Sequence, residues 1–403
     1  MRTQTFASIA SLVATASLVS VAHAGGLAVG QQNAVSAGTG GAGAGRADDP
    51  GAAWHVPAAL ADDGGLRLGL SLALARPRVQ ARGGAADAAW TTDSEGGWST
   101  PPHLDASYAR GPFAAGVALG VPFGGGVTWP TMWPGATESV QTDLMVLRAA
   151  PFVAWRLGRF RLGAGVHVDA GRLQIRRGLD FIDAQGDVRI DLDGRGVGVD
   201  ASAYWQAHRD LGVGLTYRGR TTLDFAGHAN FTAPDAFAAK TPDQAAATTM
   251  TLPDTIVLGA HGRRGAFRAV LDLEYARWSV NERTVVAFEN PATPDAVQEN
   301  DWRDTLAVRA GGEWHGGPLV VRGGAYWDPS PVPTDRLSPS SPDANRLGLT
   351  AGASYRLAAE LSADLFAEHI WLLRRETTST ETMPASYGGA ALVLGAGVRW
   401  MPR

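Results

Sequence analysis

The sequence of 403 residues contains no cysteine. That excludes a disulfide framework and any thiolate metal site. Beyond its first two dozen residues no apolar run is long enough for a membrane-crossing helix. Lysine is almost missing: of 35 basic residues only Lys240 is not an arginine. Against 39 acids the net charge is -4, so there is no basic footprint for nucleic acid. No G-x-S-x-G occurs, and the nine histidines are scattered without metal-ligand spacing. Nothing in the chain therefore supports an outer-surface lipase or protease, and no cofactor or metal is implied.

What is present begins with targeting. Arg2 supplies a positive start, Phe6 to Val21 an apolar stretch, and Ala22-His23-Ala24 a small-residue cleavage site. This predicts a signal peptide over 1–24 and a mature chain from Gly25. The next forty residues are mostly Gly, Ala, Ser, Gln and Asn. They end in "AGRADDPGAAWHVPAAL", Ala44 to Leu60, which has neither strand alternation nor a helix face.

The remainder alternates with period two. In "FRAVLDLEYARWS", Phe267, Ala269, Leu271, Leu273 and Tyr275 share one face, opposite Arg268, Val270, Asp272 and Glu274. Such segments predict fourteen strands, starting near Leu66, His103, Phe113, Leu144, Phe160, Val188, Leu211, Thr249, Phe267, Thr305, Leu319, Arg346, Leu361 and Ala391. The even-numbered junctions are tight turns ("GP", "GR", "RD", "RG", "GG", "AAE"). The odd-numbered ones are long and rich in Pro, Asp, Thr and Gly, except a short link near Ala184 to Gly186.

Sorting turns to one end and loops to the other, with an even strand count, is the pattern of an outer-membrane barrel. Closure satisfies every backbone group in lipid without leaving an edge. The expected fold is thus all-β: a 14-stranded antiparallel transmembrane β-barrel over 64–403, preceded by the irregular small-residue segment 25–63. His167, Asp272, Glu274, Arg309 and Arg322 fall on the inward face. Trp205, Tyr275, Trp314, Trp327, Tyr355 and Trp400 fall near strand ends on the outward face, where an interfacial girdle would sit. A polar-solute porin would have an open lumen, and the plug-like segment argues against it. A structural surface barrel shares the architecture and differs only in lacking uptake.

Several stretches resemble the FadL/TodX family of outer-membrane transporters. "AGRADDPGAAWHVPAAL" is similar to the N-terminal "AGxA…DDAS…NPAGL", and "TLPDTIVLGA" to "LPDsvxLG". "DWRDTLAVRAGGEW" resembles "xWkDtxxxrlGxeY". "VVRGGAYWDPSPVPTDRLSPSSPDANRLGLTAGASYRL" resembles the block "RaGyaYDpSPvP…PDadRhxlsxGasYr" most closely. The resemblance runs from Gly25 to Trp400. It implies an N-terminal hatch plugging the lumen and passive uptake of hydrophobic small molecules, fatty acids or hydrocarbons, through a lateral opening at a kinked third strand. It also implies a monomer in lipid and lipopolysaccharide, inserted by the barrel-assembly machinery, with no nucleic-acid partner. Val56-Pro57-Ala58 stands where the family has Asn-Pro-Ala.

Candidate residues follow. In "VTWPTMWPG", Trp129, Met132 and Trp133 form an apolar cluster in a predicted outer loop, either a capture groove or a loop folded onto its own rim. The resemblance places Leu27, the third mature residue, against the ligand. Arg309 and Arg322 are candidates to pair with a fatty-acid carboxylate, or else pair with Asp272, Glu274 or Asp328 in an ordinary lumen network. Gly116, Gly120 and Pro122 are candidates for the strand-3 kink, although Pro122 would equally mark the strand's outer end. Asp48 and Asp49 are expected to meet inward arginines, and Pro57 to mark the exit from hatch to barrel.

Overall fold

The computed structural model describes residues 26–62, 64–85, 87–181 and 184–402. The expected signal peptide and Gly25 lie outside the described residues, as does Asp63. Fourteen spans close into one antiparallel barrel. They are β1 (Gly65–Gly83), β2 (Trp90–Asp93 and Pro102–Arg110), β3 (Phe113–Thr128), β4 (Gln141–Leu157), β5 (Phe160–Asp180), β6 (Gln185–His208), and β7 (Leu211–Arg218 and Thr221–Thr232). These are followed by β8 (Gln244–Leu252 and Thr255–Arg264), β9 (Phe267–Ala276 and Arg283–Phe288), β10 (Ala296–Glu299 and Thr305–Gly316), β11 (Leu319–Asp328), β12 (Asn345–Arg356), β13 (Leu361–Glu376) and β14 (Ala385–Trp400). β14 returns to β1, with Leu68 opposite Trp400 and Gly83 opposite Ala385.

Alternation sets the two faces. On β1, Leu70, Leu72 and Leu74 are exposed while Ala73 and Ala75 between them are buried. An exposed leucine row is expected where the solvent is lipid. The six aromatics expected in the girdle, Trp205, Tyr275, Trp314, Trp327, Tyr355 and Trp400, all lie on this outer face. At the short-turn end Phe113 stacks on Trp155 and Phe160 on Trp205, both nearly coplanar. The turns are built by glycine: Gly111, Gly158, Gly265 and Gly317 have φ of 61, 66, 60 and 64°. A left-handed first position matches the strand twist in a two-residue hairpin, and only glycine adopts it without strain.

One feature accords with the short link read between β5 and β6, and a second was not anticipated. The β5–β6 hairpin continues as a ladder past the apolar band, where Arg172–Asp193 and Arg176–Asp187 ion pairs replace apolar side chains. In addition, four consecutive spans, β7 to β10, are each broken near mid-length. The breaks fall at Gly219-Arg220, Pro253-Asp254, a 3-10 turn at Trp278–Val280, and Asn300–Asp304. Period two reads straight through these interruptions, because each half keeps its own alternation.

Val166 is exposed on the outer face of β5, near the middle of the apolar band. Val166→Arg should cost about 2 to 4 kcal/mol of barrel stability, read as a lower urea midpoint for the protein refolded in lipid vesicles. An unchanged midpoint would show that this face does not meet lipid.

Candidate functional site

Residues 26–62 lie against the inward face of the barrel. Their regular pieces are short: α1 (Ala34–Ala37), capped by the Asn33 side chain, α2 (Ala52–His55), and a 3-10 turn at Pro57–Leu60. Small residues let this backbone approach the wall. A Cβ on Gly214 of β7 would overlap the Ala44 carbonyl and press on Val56. Val56 is fully buried, in a cluster with Ala52, Leu60, Phe152 and Tyr204.

Polar groups of the wall take up the segment's irregular backbone. Asp272 Oδ2 accepts from the N–H groups of Gly43 and Ala44 at 2.8 and 2.9 Å. Ser202 accepts from Ala58 N–H at 3.0 Å, and Thr216 donates to the His55 carbonyl at 2.8 Å. Arg161 and Arg218 donate to the carbonyls of Ala59 and Trp54. Glu313, fully enclosed, sits among Arg46 (2.6 Å), Arg322 (2.7 Å) and Arg268 (3.3 Å). Arg268 in turn reaches Asp48 at 2.7 Å. Asp49 meets Arg399 at 3.0 Å, and Arg399 also binds Asp364. Apart from Asp48, whose side chain is half exposed, these charge-assisted bonds lie in an enclosed space, where an unpaired partner would be costly. His55 bonds Ser36 at 3.0 Å; burial, reinforced by Arg218 and His103, keeps its pKa well below the ordinary imidazole value.

The third strand departs from regularity where the segment touches it. β2 and β3 pair only from Arg110–Phe113 to Leu104–Leu119. Above that, β3 keeps its ladder to β4, with a register shift between Gly120 and Phe123. Gly120 to Gly125 are all buried, six in succession, so the strand has left the alternating lipid-facing path and bent inward. Pro122 sits inside this bulge, where its missing N–H does least harm. The loosened backbone groups find partners in the N-terminal segment. Val29 N–H donates to the Pro122 carbonyl (2.9 Å), Gly124 N–H to the Leu27 carbonyl (2.8 Å), and Gln32 Nε2 to the Val121 carbonyl (3.0 Å). Ala28 and Phe123 form an antiparallel bridge.

Beside this contact lies a cavity of about 110 Å³. One wall is apolar, with Leu27, Leu144, Leu173, Ile175 and Met250. The other is a polar corner of Asn281, Thr284, Gln298 and Asn300, which come from the broken stretches of β9 and β10. Asp343, in the loop before β12, closes it. That carboxyl accepts from Gly26 N–H and Ser330 Oγ–H, and burial pushes its pKa up to about 6 against the pull of Arg346.

The family model for "Outer membrane protein transport protein (OMPP1/FadL/TodX)" matches residues 15–400. The chain belongs to this family. A long-chain fatty acid transport protein of Escherichia coli is 25% identical over 211 residues, 49% of this chain and 46% of that protein. A putative outer membrane protein of Neisseria meningitidis is 28% identical over 227 residues, 50% of this chain and 47% of the relative. The chain thus aligns with about half the length of these curated relatives. A solved Pseudomonas aeruginosa FadL homologue superposes with TM-score 0.84 at 18% identity, covering 93% of this chain and 99% of the other. The toluene transporter TodX of Pseudomonas putida superposes with TM-score 0.77 at 16% identity, covering 92% and 98%. Its place is the bacterial outer membrane.

Within the FadL/TodX frame the candidate residues separate. Leu27 lines the cavity. Arg309 and Arg322 do not. Arg309 is committed to Glu274 (3.3 Å) and Asp328 (3.7 Å), and Arg322 to Glu313, which it faces across the ladder, and to Ser354. Trp129 and Trp133 are buried rather than offered to solvent. They stack at 4.6 Å, and their indole N–H groups donate to the carbonyls of Pro339 and Ser139. The loop is folded onto its rim, and of the three residues only Met132, 92% exposed, remains free. Gly120 and Pro122 flank and occupy the bulge, and β3 runs on to Thr128, so Pro122 is not the strand's end. Gly116 lies below the bulge in regular pairing, where a Cβ would overlap the Ala106 carbonyl. Pro57 opens the 3-10 turn rather than the barrel. The polar corner had no counterpart in the sequence reading. Its one signal was polar residues interrupting the predicted strands, as in "WSVNE" and "QENDW".

Asp48→Arg would remove one acid from the Arg46–Arg268–Arg322–Glu313 cluster and add a fourth guanidinium group. Amide exchange across Gly43 to Asp49 should then accelerate about tenfold or more, the equivalent of about 1.4 kcal/mol of local stability. The barrel's heat-modifiable gel migration should be retained. Unchanged exchange would show that this ion network does not hold the segment.

Proposed function

We propose that this protein carries hydrophobic small molecules passively across the outer membrane, with residues 26–62 acting as a movable plug. The observation that carries the reading is the junction at β3. A bulge in a membrane strand exposes backbone groups that lipid cannot satisfy, and the plug satisfies them from inside, next to an apolar cavity. Displacing Leu27 to Gln32 would free the bulge and connect the cavity to the stretch where β2 and β3 are unpaired. The solute then leaves sideways instead of crossing a water-filled lumen. Capture is favourable on simple grounds: a solute burying about 200 Å² of apolar surface gains about 5 kcal/mol. The relatives named as fatty-acid and toluene transporters support transport of hydrophobic compounds. They are transporters rather than enzymes, in keeping with a non-catalytic role.

The absence of native cysteine makes a direct test available. Ala28→Cys with Phe123→Cys joins plug to bulge at a bridged pair. Uptake of a hydrophobic substrate into proteoliposomes should fall to background when the pair is oxidised and recover on reduction. Full uptake with the cross-link closed would rule out plug displacement at β3.

A further inference from the structure

The cavity's wall carries a more specific message than its greasiness. Among the described residues no arginine, lysine or histidine lines it, and Asp343 is its one ionisable lining group. The two guanidinium groups that act on Asp343 from behind the wall are engaged by the protein. Arg346 donates to the carbonyls of Ala28 and Gly26, and Arg375 to the Ser330 hydroxyl and the Val332 carbonyl. A carboxylate placed here would be desolvated beside another acid, with no lining cation among the described residues to pair it, the costly case for a buried charge.

The polar corner, by contrast, is incompletely used. Asn300 Nδ2 donates to Asn281 Oδ1 (3.1 Å) and Thr284 Oγ1 (3.0 Å). That leaves Asn281 Nδ2 and Asn300 Oδ1 without a hydrogen-bond partner among the described residues, although both side chains are more than nine-tenths buried. Neither atom is sealed away by protein. A donor and an acceptor thus stand together at one end of an otherwise apolar space. The volume, about 110 Å³, compares with the roughly 150 Å³ cavity that holds one benzene ring. The cavity is open on one side, so a long alkyl chain would project from it rather than be enclosed.

We propose that this cavity is selective for small, uncharged, amphiphilic molecules, of the size of one aromatic ring with a hydroxyl or carbonyl group, held at the Asn281–Asn300 corner. The hydroxyl accepts from Asn281 Nδ2 and donates to Asn300 Oδ1, while the ring packs on Leu144, Leu173 and Ile175. This selectivity rests on the transport reading above but is separable from it.

The test is a calorimetric titration of the full protein in lipid nanodiscs, blanked against empty discs, with four probes: p-cresol, toluene, benzoate and palmitate. A paired buried hydroxyl is worth about three- to tenfold in affinity. p-Cresol should therefore bind about three- to tenfold tighter than toluene, with benzoate and palmitate weaker than both. Asn281→Leu should erase the advantage of p-cresol while leaving toluene unchanged or tighter. If that variant fails to fold, the probe series on the native protein decides alone. Equal binding of toluene and p-cresol, or benzoate or palmitate matching p-cresol, overturns the proposed selectivity and leaves the transport reading standing. If no probe binds, both fall.

Discussion

The structure depends on one local exchange of hydrogen bonds. A membrane strand cannot leave its ladder without exposing main-chain donors and acceptors, and the hydrocarbon around it offers none in return. β3 leaves its ladder at Val121-Pro122 nonetheless. It can do so because Val29 and Leu27, arriving from the other end of the sequence, take up the Pro122 carbonyl and the Gly124 N–H. The defect in the wall and the segment in the lumen are thus complements. Neither would be stable as it stands without the other, and that mutual dependence makes the segment a candidate gate and not a filler.

Other features follow from keeping that segment in register. Glu313, among three arginines, and Asp272, taking two amides, anchor Gly43 to Asp49. Val56 and Leu60 seat the next stretch in an apolar niche against Phe152 and Tyr204. Where the family resemblance leads one to expect an asparagine, Val56 is fully buried. Packing therefore holds this stretch in place of a side-chain hydrogen bond. The lower part of the segment is held by charge and packing, and the part nearest the cavity by hydrogen bonds to the bulged stretch of β3, to Asp343 and from Arg346.

Much of this was legible from sequence, for local reasons. Alternation is a property of each strand, and Gly111, Gly158, Gly265 and Gly317 announce turns that only glycine makes easily. Face assignments such as Arg309 inward and Tyr275 outward follow directly. What sequence could not show was partnership. It offered Glu274 and Asp328 as lumen partners, and Arg309 meets both, but it did not reveal that Glu313 claims Arg322. It found Trp129 and Trp133 in a loop, but a capture groove and a loop packed on its rim are written with the same residues. The Asn281–Asn300 corner was hidden for a related reason. It arises only because β9 and β10 both break at the same height, a coincidence of neighbouring strands that no single strand records.

The central claim is that solute occupancy and the β3 junction are coupled. Amide hydrogen exchange at Val29 and Gly124, compared with and without a saturating hydrophobic solute in lipid nanodiscs, reads that coupling at the two donors concerned. The account predicts faster exchange at both when solute is bound, with the amides of Gly43 and Ala44 unchanged. Identical exchange at Val29 and Gly124 in the two states would contradict it.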